Sequence, residues 1–264
     1  MNQISIDHNA LITEFNEYIK QYGTENKQIN LRIAHMRHTA QAMLDMANIL
    51  GMDDYDTDMA WAIGYLHDIS RLEQFKMNIR IIDFQKYNHA ESGAELLFSK
   101  GIVRNLIPNI DEIPAADVKA MELAVRYHSD LNLPDDLTER ERLFCNLIRD
   151  ADKVDIFRVF ATTSYENIYN DSYQNFVLSD FSDKVVEAFE KRKNISTDLV
   201  HSPGDLFLLN VALVFGLNFK ESLELIKKQG YFEKMLDVGF VHPATQKQFE
   251  SLKNIALSII DSHG

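Results

Sequence analysis

Cysteine occurs once in 264 residues, at Cys145, so no internal disulfide can form. That economy fits a reducing compartment, and a cytoplasmic protein is the expectation. Basic residues are also short: 27 Lys and Arg stand against 40 Asp and Glu, a formal charge of −13. A broad cationic footprint for nucleic acid or an anionic membrane is therefore excluded, and neither is expected as a partner. Long apolar runs are missing too. The longest, Leu206 to Leu217, is interrupted by Asn210 and Gly216 and falls well short of the roughly 20 residues that span a bilayer. It reads as a buried core helix. The opening Met1-Asn2-Gln3-Ile4-Ser5-Ile6-Asp7-His8 has neither a basic nor an apolar leader region, so secretion is not expected. No repeat or low-complexity tract is visible.

Only ten glycines and five prolines punctuate the chain. Apolar residues make up 45% and recur in steps of three and four. Leu31, His35, His38, Ala42, Met46 and Ile49 form one such stripe. Val118, Met121, Val125 and His128 form a second, and Ile148, Asp152, Ile156 and Val159 a third. These spacings place each set on one helix face and predict an all-α protein. Gly23-Thr24 and Gly51-Met52-Asp53-Asp54 read as helix ends, and 108–114 and 133–136 as connections. Residues 77–84 admit a short strand but read better as an irregular loop. Beyond about Arg158 the texture turns aromatic, and Ser202-Pro203-Gly204-Asp205 opens another helix. The expected organisation is an N-terminal helix over 1–24, a main helical body over 25–160 and a C-terminal helical subdomain over 161–264.

Several predicted helices carry a polar group where the stripe should be apolar: His35, His128 and Asp152. His67-Asp68 closes the apolar segment ending at Leu66, and His89 is followed by the small residues Ala90, Ser92, Gly93 and Ala94, which permit another helix to approach. One such group alone is ordinarily a satisfied core histidine or a capped carboxylate. Six together ask for a common cause. Neutral imidazoles and carboxylates facing inward are jointly satisfied by a divalent cation. Adjacent helical residues point about 100° apart, so His67 and Asp68 can reach two sides of one site, with Asp68 bridging if two ions bind.

The ordered set His35, His67-Asp68, His89, His128 and Asp152 resembles the HD-domain superfamily of metal-dependent phosphohydrolases, an all-helical fold. His35-Met36-Arg37-His38 is similar to the first ligand helix of that family. Arg149-Asp150-Ala151-Asp152-Lys153-Val154-Asp155 is similar to its closing segment. The likeness spans about residues 25 to 160. It implies a minimal metal site of His35, His67, Asp68 and Asp152, with His89 and His128 added where two divalent ions bind (Mn, Fe, Mg, Co or Ni). His38 rivals His35 and Asp150 rivals Asp152, the spacing to Gly51 favouring His35 and the Ala-Asp-Lys context favouring Asp152. Arg71-Leu72-Glu73-Gln74 resembles a subgroup with His-Asp-Ile-Gly-Arg-Phe-Glu-Gln, Ser70 replacing the glycine.

The activity so implied is hydrolysis of a phosphoester or phosphoanhydride in a small phosphorylated metabolite, a nucleotide foremost. Asp68 would hold the nucleophile, and Arg71 and Lys153 the phosphate. The bland readings are a salt bridge for Arg71 and a solvated surface position for Lys153. Glu73 and Gln74 are candidates for orienting ligand histidines. His128 is followed by Ser129, and no Gly-Tyr-Pro occurs, which argues against the cyclic-di-nucleotide phosphodiesterases. A di-iron oxygenase of the same fold uses the same ligand set, and a non-catalytic nucleotide sensor would need no complete set. Tyr165, Tyr169 and Tyr173 read as a packing stripe, and His8, His201, His242 and His263 as surface groups. Association of identical chains is left open.

Overall fold

The structure, a computed structural model, describes residues 5–23, 25–79, 87–169 and 171–261. Among them every regular element is helical and no strand occurs. No described helix is long and apolar enough to cross a membrane. Thr24, His263 and most of the 77–84 segment lie outside the described residues.

The chain divides into two compact units, Met1–Asp152 and Lys153–Gly264. The texture of the sequence places a change near 160; the units divide between 152 and 153.

The first unit contains α1 (His8–Ile19), α2 (Lys27–Ile49), α3 (Asp54–Leu66), α4 (Ser70–Lys76), α5 (His89–Ala94), α6 (Val103–Leu106), α7 (Ala115–Tyr127) and the first half of α8 (Glu139–Thr162). Its centre is the α2–α3 pair. Gly51 ends α2 at φ +70°, its N–H bonding Asn48 O at 3.1 Å and that of Met52 bonding Ala47 O at 3.0 Å. This left-handed cap favours a residue without Cβ. Asp53 then caps α3 by accepting from Asp56 N at 2.8 Å, with Asp54 and Asp56 at the positive end of the helix dipole. The reversal takes four residues and makes the helices antiparallel, so that Arg37 meets Tyr65 and Ala40 meets Gly64.

One expected stripe is corrected here. His38 is exposed and so is Ile49, at 51%. The face that α2 buries runs through Ile33, Met36, Ala40, Met43 and Ala47. The stripe with His35, Ala42 and Met46 is only its edge, because methionines and alanines roughly a quarter turn away carry the packing.

Arg140, near the start of α8, joins Asp56 of α3 (3.0 Å from Nη1) to Asp117 of α7 (2.5 Å from Nε).

The second unit contains the rest of α8, then α9 (Tyr165–Tyr169), α10 (Tyr173–Val177), α11 (Asp183–Glu190), α12 (Pro203–Ala212), α13 (Lys220–Gln229), α14 (Tyr231–Met235) and α15 (Pro243–Asp261). Its core is aromatic. Tyr165 stacks on Phe176 at 4.8 Å between ring centroids, and Phe207, Phe240 and Phe249 close around them. Tyr165 and Tyr169 are thus packing groups, while Tyr173 is 44% exposed. Ser202 caps α12, as its sequence suggests, accepting from Asp205 N at 3.0 Å.

Candidate metal centre

Helix ends deliver the key histidines. His67 follows the last residue of α3, and its Nδ1 lies 2.8 Å from Gly64 O. His128 follows α7 in the same way, Nδ1 2.7 Å from Val125 O. A carbonyl can only accept, so each Nδ1 carries the proton. In the neutral ring Nε2 then presents its lone pair, the form that binds a metal. His35 reaches the same space from α2, Asp152 from α8, and Asp68 from the turn joining α3 to α4.

These groups converge in two sets. His35, His67 and Asp152 form one: Asp152 Oδ1 is 2.9 Å from His35 Nε2 and 3.7 Å from His67 Nε2. Around Asp68 lie the others, its Oδ1 being 3.5 Å from His89 Nε2 and 3.6 Å from His128 Nε2. His67, Asp68 and His128 also lie close enough together to hold an ion. Ligands about 2.1 Å from a tetrahedral ion are about 3.4 Å apart, so these separations suit a shared cation without rearrangement of the backbone.

Two buried atoms make the case physically. His67 Nε2 and Asp68 Oδ1 have no hydrogen-bond partner among the described residues. Leaving such acceptors unpaired is costly, and a divalent ion that takes nitrogen and oxygen ligands removes that cost. The residues present therefore fit a metal. Sequence adjacency had suggested Asp68 as the bridge, and its two oxygens do face both sets: Oδ2 is 4.0 Å from His35 Nε2.

Burial pushes the Asp68 carboxyl up, but Arg71, His128, His67 and His89 overcome it and hold Asp68 well below the usual carboxylate range. Asp152 is likewise pushed up by burial and drawn well below that range by His35 and His67. His89 is driven well below the ordinary imidazole value by burial and by Arg71. Two ionised carboxylates and a neutral imidazole are the protonation states a metal requires.

Of the rival positions, His38 is exposed on α2, and Asp150 is fully buried and belongs to neither cluster. Arg71 lies at the centre, its Nε 3.6 Å from Asp68 Oδ1 and its Nη2 3.3 Å from His89 Nε2. Lys153 is buried, not solvated, and donates to Gly216 O at 2.5 Å. Glu73 and Gln74 meet other partners: Tyr22 donates to Glu73 at 2.5 Å, and Gln74 Oε1 accepts from Arg71 Nη1 at 2.8 Å. His8 is more than a surface group, since it stacks on Trp61 at 3.8 Å and stands 3.0 Å from Asp58.

Three supporting residues carry no signal in the periodicity. Ser70 Oγ donates to His89 O at 2.6 Å and so ties α4 to the start of α5. Arg126 links Glu91, on α5, with Glu122 on its own helix. Arg149 gathers the carbonyls of Tyr127, Asp130 and Leu131 around the backbone that bears His128.

A family model of the HD domain matches residues 32–156. Neither curated proteins nor solved structures yield a match.

Proposed function

Residues 32–156 of this chain are an HD domain, and from that premise we propose that the protein is a metal-dependent phosphohydrolase acting on a small phosphorylated metabolite, with a nucleotide as the expected class. The observation that carries the reading is the pair of converging ligand sets, with the Arg71 guanidinium beside Asp68.

In this reading His35, His67 and Asp152 hold one divalent ion, and Asp68, His89 and His128 a second. Such ions, when bound, lower the pKa of water from 15.7 toward about 7 and offset charge on phosphate oxygens. Asp68, kept ionised by its surroundings, accepts a hydrogen bond from the attacking water and orients it. Arg71 offers a planar fork of N–H donors that matches two phosphate oxygens. Gln74 fixes one edge of that fork by accepting from Nη1, which lowers the entropy lost when phosphate arrives. Lys153 adjoins Asp152 in sequence, but its ammonium is engaged by Gly216 O. Its part in binding phosphate would require that bond to be exchanged.

The test is a phosphate-release panel. Metal-stripped protein is reloaded with Mn, Fe, Mg, Co or Ni and offered nucleotides, dinucleoside polyphosphates and simple phosphodiesters. Turnover should require metal, stop on chelation and fall at least about 100-fold in Asp68→Asn. Hydrolysis with no metal, or oxygen consumption by the iron form without phosphate release, would overturn the assignment.

A further inference from the structure

We infer that Arg71 and a second metal ion compete for the same lone pairs, so that Arg71 controls the filling of the His89–His128 half of the centre. The inference rests on the metal-centre reading above and adds a regulatory element to it.

The contacts crowd one spot. His89 Nε2 is 3.1 Å from His128 Nε2 and 3.3 Å from Arg71 Nη2. Asp68 Oδ1 lies 3.5 Å from the first and 3.6 Å from Arg71 Nε. An imidazole nitrogen has either one proton or one lone pair. If His89 Nε2 carries the proton it can donate to His128, whose own Nε2 is the acceptor, but it cannot accept from Arg71. If it carries the lone pair it accepts from Arg71, and then two lone pairs face each other across 3.1 Å. No tautomer of His89 satisfies both neighbours.

An ion coordinated by His89 and His128 removes that conflict, since it uses both lone pairs at once. It also needs the one on His89 that the guanidinium approaches, and an N–H donor and a metal cannot share it. Filling the second position therefore turns Arg71 away from His89. Gln74 Oε1 holds the opposite edge of the guanidinium through Nη1, so it acts as a positioning residue that keeps Arg71 turned inward. An Arg71 released from His89 is the same donor fork that phosphate needs, which links the second ion to readiness for substrate.

Calorimetric titration of the metal-stripped, full-length protein with Mn²⁺ reads this directly. Wild type should bind one ion tightly and a second at least about tenfold more weakly. Arg71→Ala should tighten the second step about tenfold while changing the first by less than about threefold. Gln74→Ala retains the positive charge and should move the second step the same way by a smaller factor. In electron paramagnetic resonance, the spin-coupled pair signal should appear at lower Mn²⁺ in both variants. If both steps tighten equally in Arg71→Ala, or if Gln74→Ala changes neither, Arg71 acts only through its charge and the competition is refuted. If no ion binds even at the first step, the metal-centre reading itself fails. Should Arg71→Ala lose its helical circular dichroism, Gln74→Ala and the spectroscopic series still decide the question.

Discussion

Arg149 donates to Tyr127 O and Leu131 O at 3.1 Å each and also to Asp130 O. Tyr127 O also accepts from Asp130 N at 3.3 Å, so Arg149 counts most at Asp130 O and Leu131 O, just past the end of α7, in the turn that bears His128. Arg149 is 8% exposed, so truncating it leaves buried acceptors that water reaches poorly. Hydrogen bonds to a charged group contribute about 1.5–3 kcal/mol each when tested singly, and they are not additive. We expect Arg149→Ala to lose about 3 kcal/mol in urea unfolding. Metal affinity should fall about 10- to 100-fold, because His128 loses its support although no ligand is removed. Unchanged metal affinity at reduced stability would mean that Arg149 serves the fold and not the centre.

At the level of the element, two glycines invite opposite outcomes from one substitution. A Cβ at Gly64 would stand 2.7 Å from Ala40 Cα and 2.9 Å from Ala40 N, both backbone atoms. The Met43 side chain, also 2.9 Å away, can rotate aside, but the Ala40 backbone cannot, so α2 and α3 would have to separate. His35 and His67 lie on, or at the end of, these two helices. Ala gains about 1 kcal/mol of helix propensity over Gly, whereas overpacking costs about 1–3 kcal/mol. Gly64→Ala should therefore be destabilising by up to about 2 kcal/mol and should weaken metal binding. At Gly93 the nearest atoms to a Cβ are His67 O at 3.4 Å and Val125 Cγ1 at 3.5 Å, ordinary contacts. Gly93→Ala should be neutral or stabilising by up to about 1 kcal/mol. Paired urea titrations check the signs, and a destabilised Gly93→Ala would contradict the reading. The small residues after His89 had suggested a close helix approach in the sequence, and Gly93 does face Val125 of α7. The tighter contact, at Gly64, left no such mark. This is the general limit of legibility here. Periodicity reports which face of a helix is inward, so the all-α class and the inward turn of His35, His128 and Asp152 could be read. It does not report what stands opposite. Gly64 against Ala40 and Arg149 beneath His128 are pairings between separate segments, which no spacing along the chain encodes; Arg71 and Gln74, three residues apart on α4, are the exception. The edge of α2 was likewise read as its centre because histidine and isoleucine stand out, whereas Ala40 and Ala47 do not.

Over the whole molecule the buried charges act through pH. His89 has its folded pKa well below the ordinary 6.5, and Asp68 and Asp152 have theirs well below 3.8. In each case the unfolded chain binds the proton at a pH where the folded chain refuses it. The stability that results is complete above the unfolded value and is lost as pH falls toward the folded one. His89 thus acts first, below about pH 6.5, and the two carboxylates act only below about pH 4. A single refused proton steepens the loss by at most about 1.4 kcal/mol per pH unit. The net charge of −13 works in the other direction. Acidification toward the isoelectric point near 5.1 relieves repulsion among the acids and stabilises the compact state. Absolute stability therefore mixes two opposite trends, and the useful quantity is a difference. Urea unfolding of the metal-stripped protein between pH 7.5 and 5 should show wild type losing stability relative to His89→Gln, which keeps the long-range charge and removes the titrating ring. Hydrogen exchange should place that loss in α3, α5 and α7, which lie within the Met1–Asp152 unit. Curves for wild type and His89→Gln that run parallel over this interval would show that His89 is as free to take a proton when folded as when unfolded.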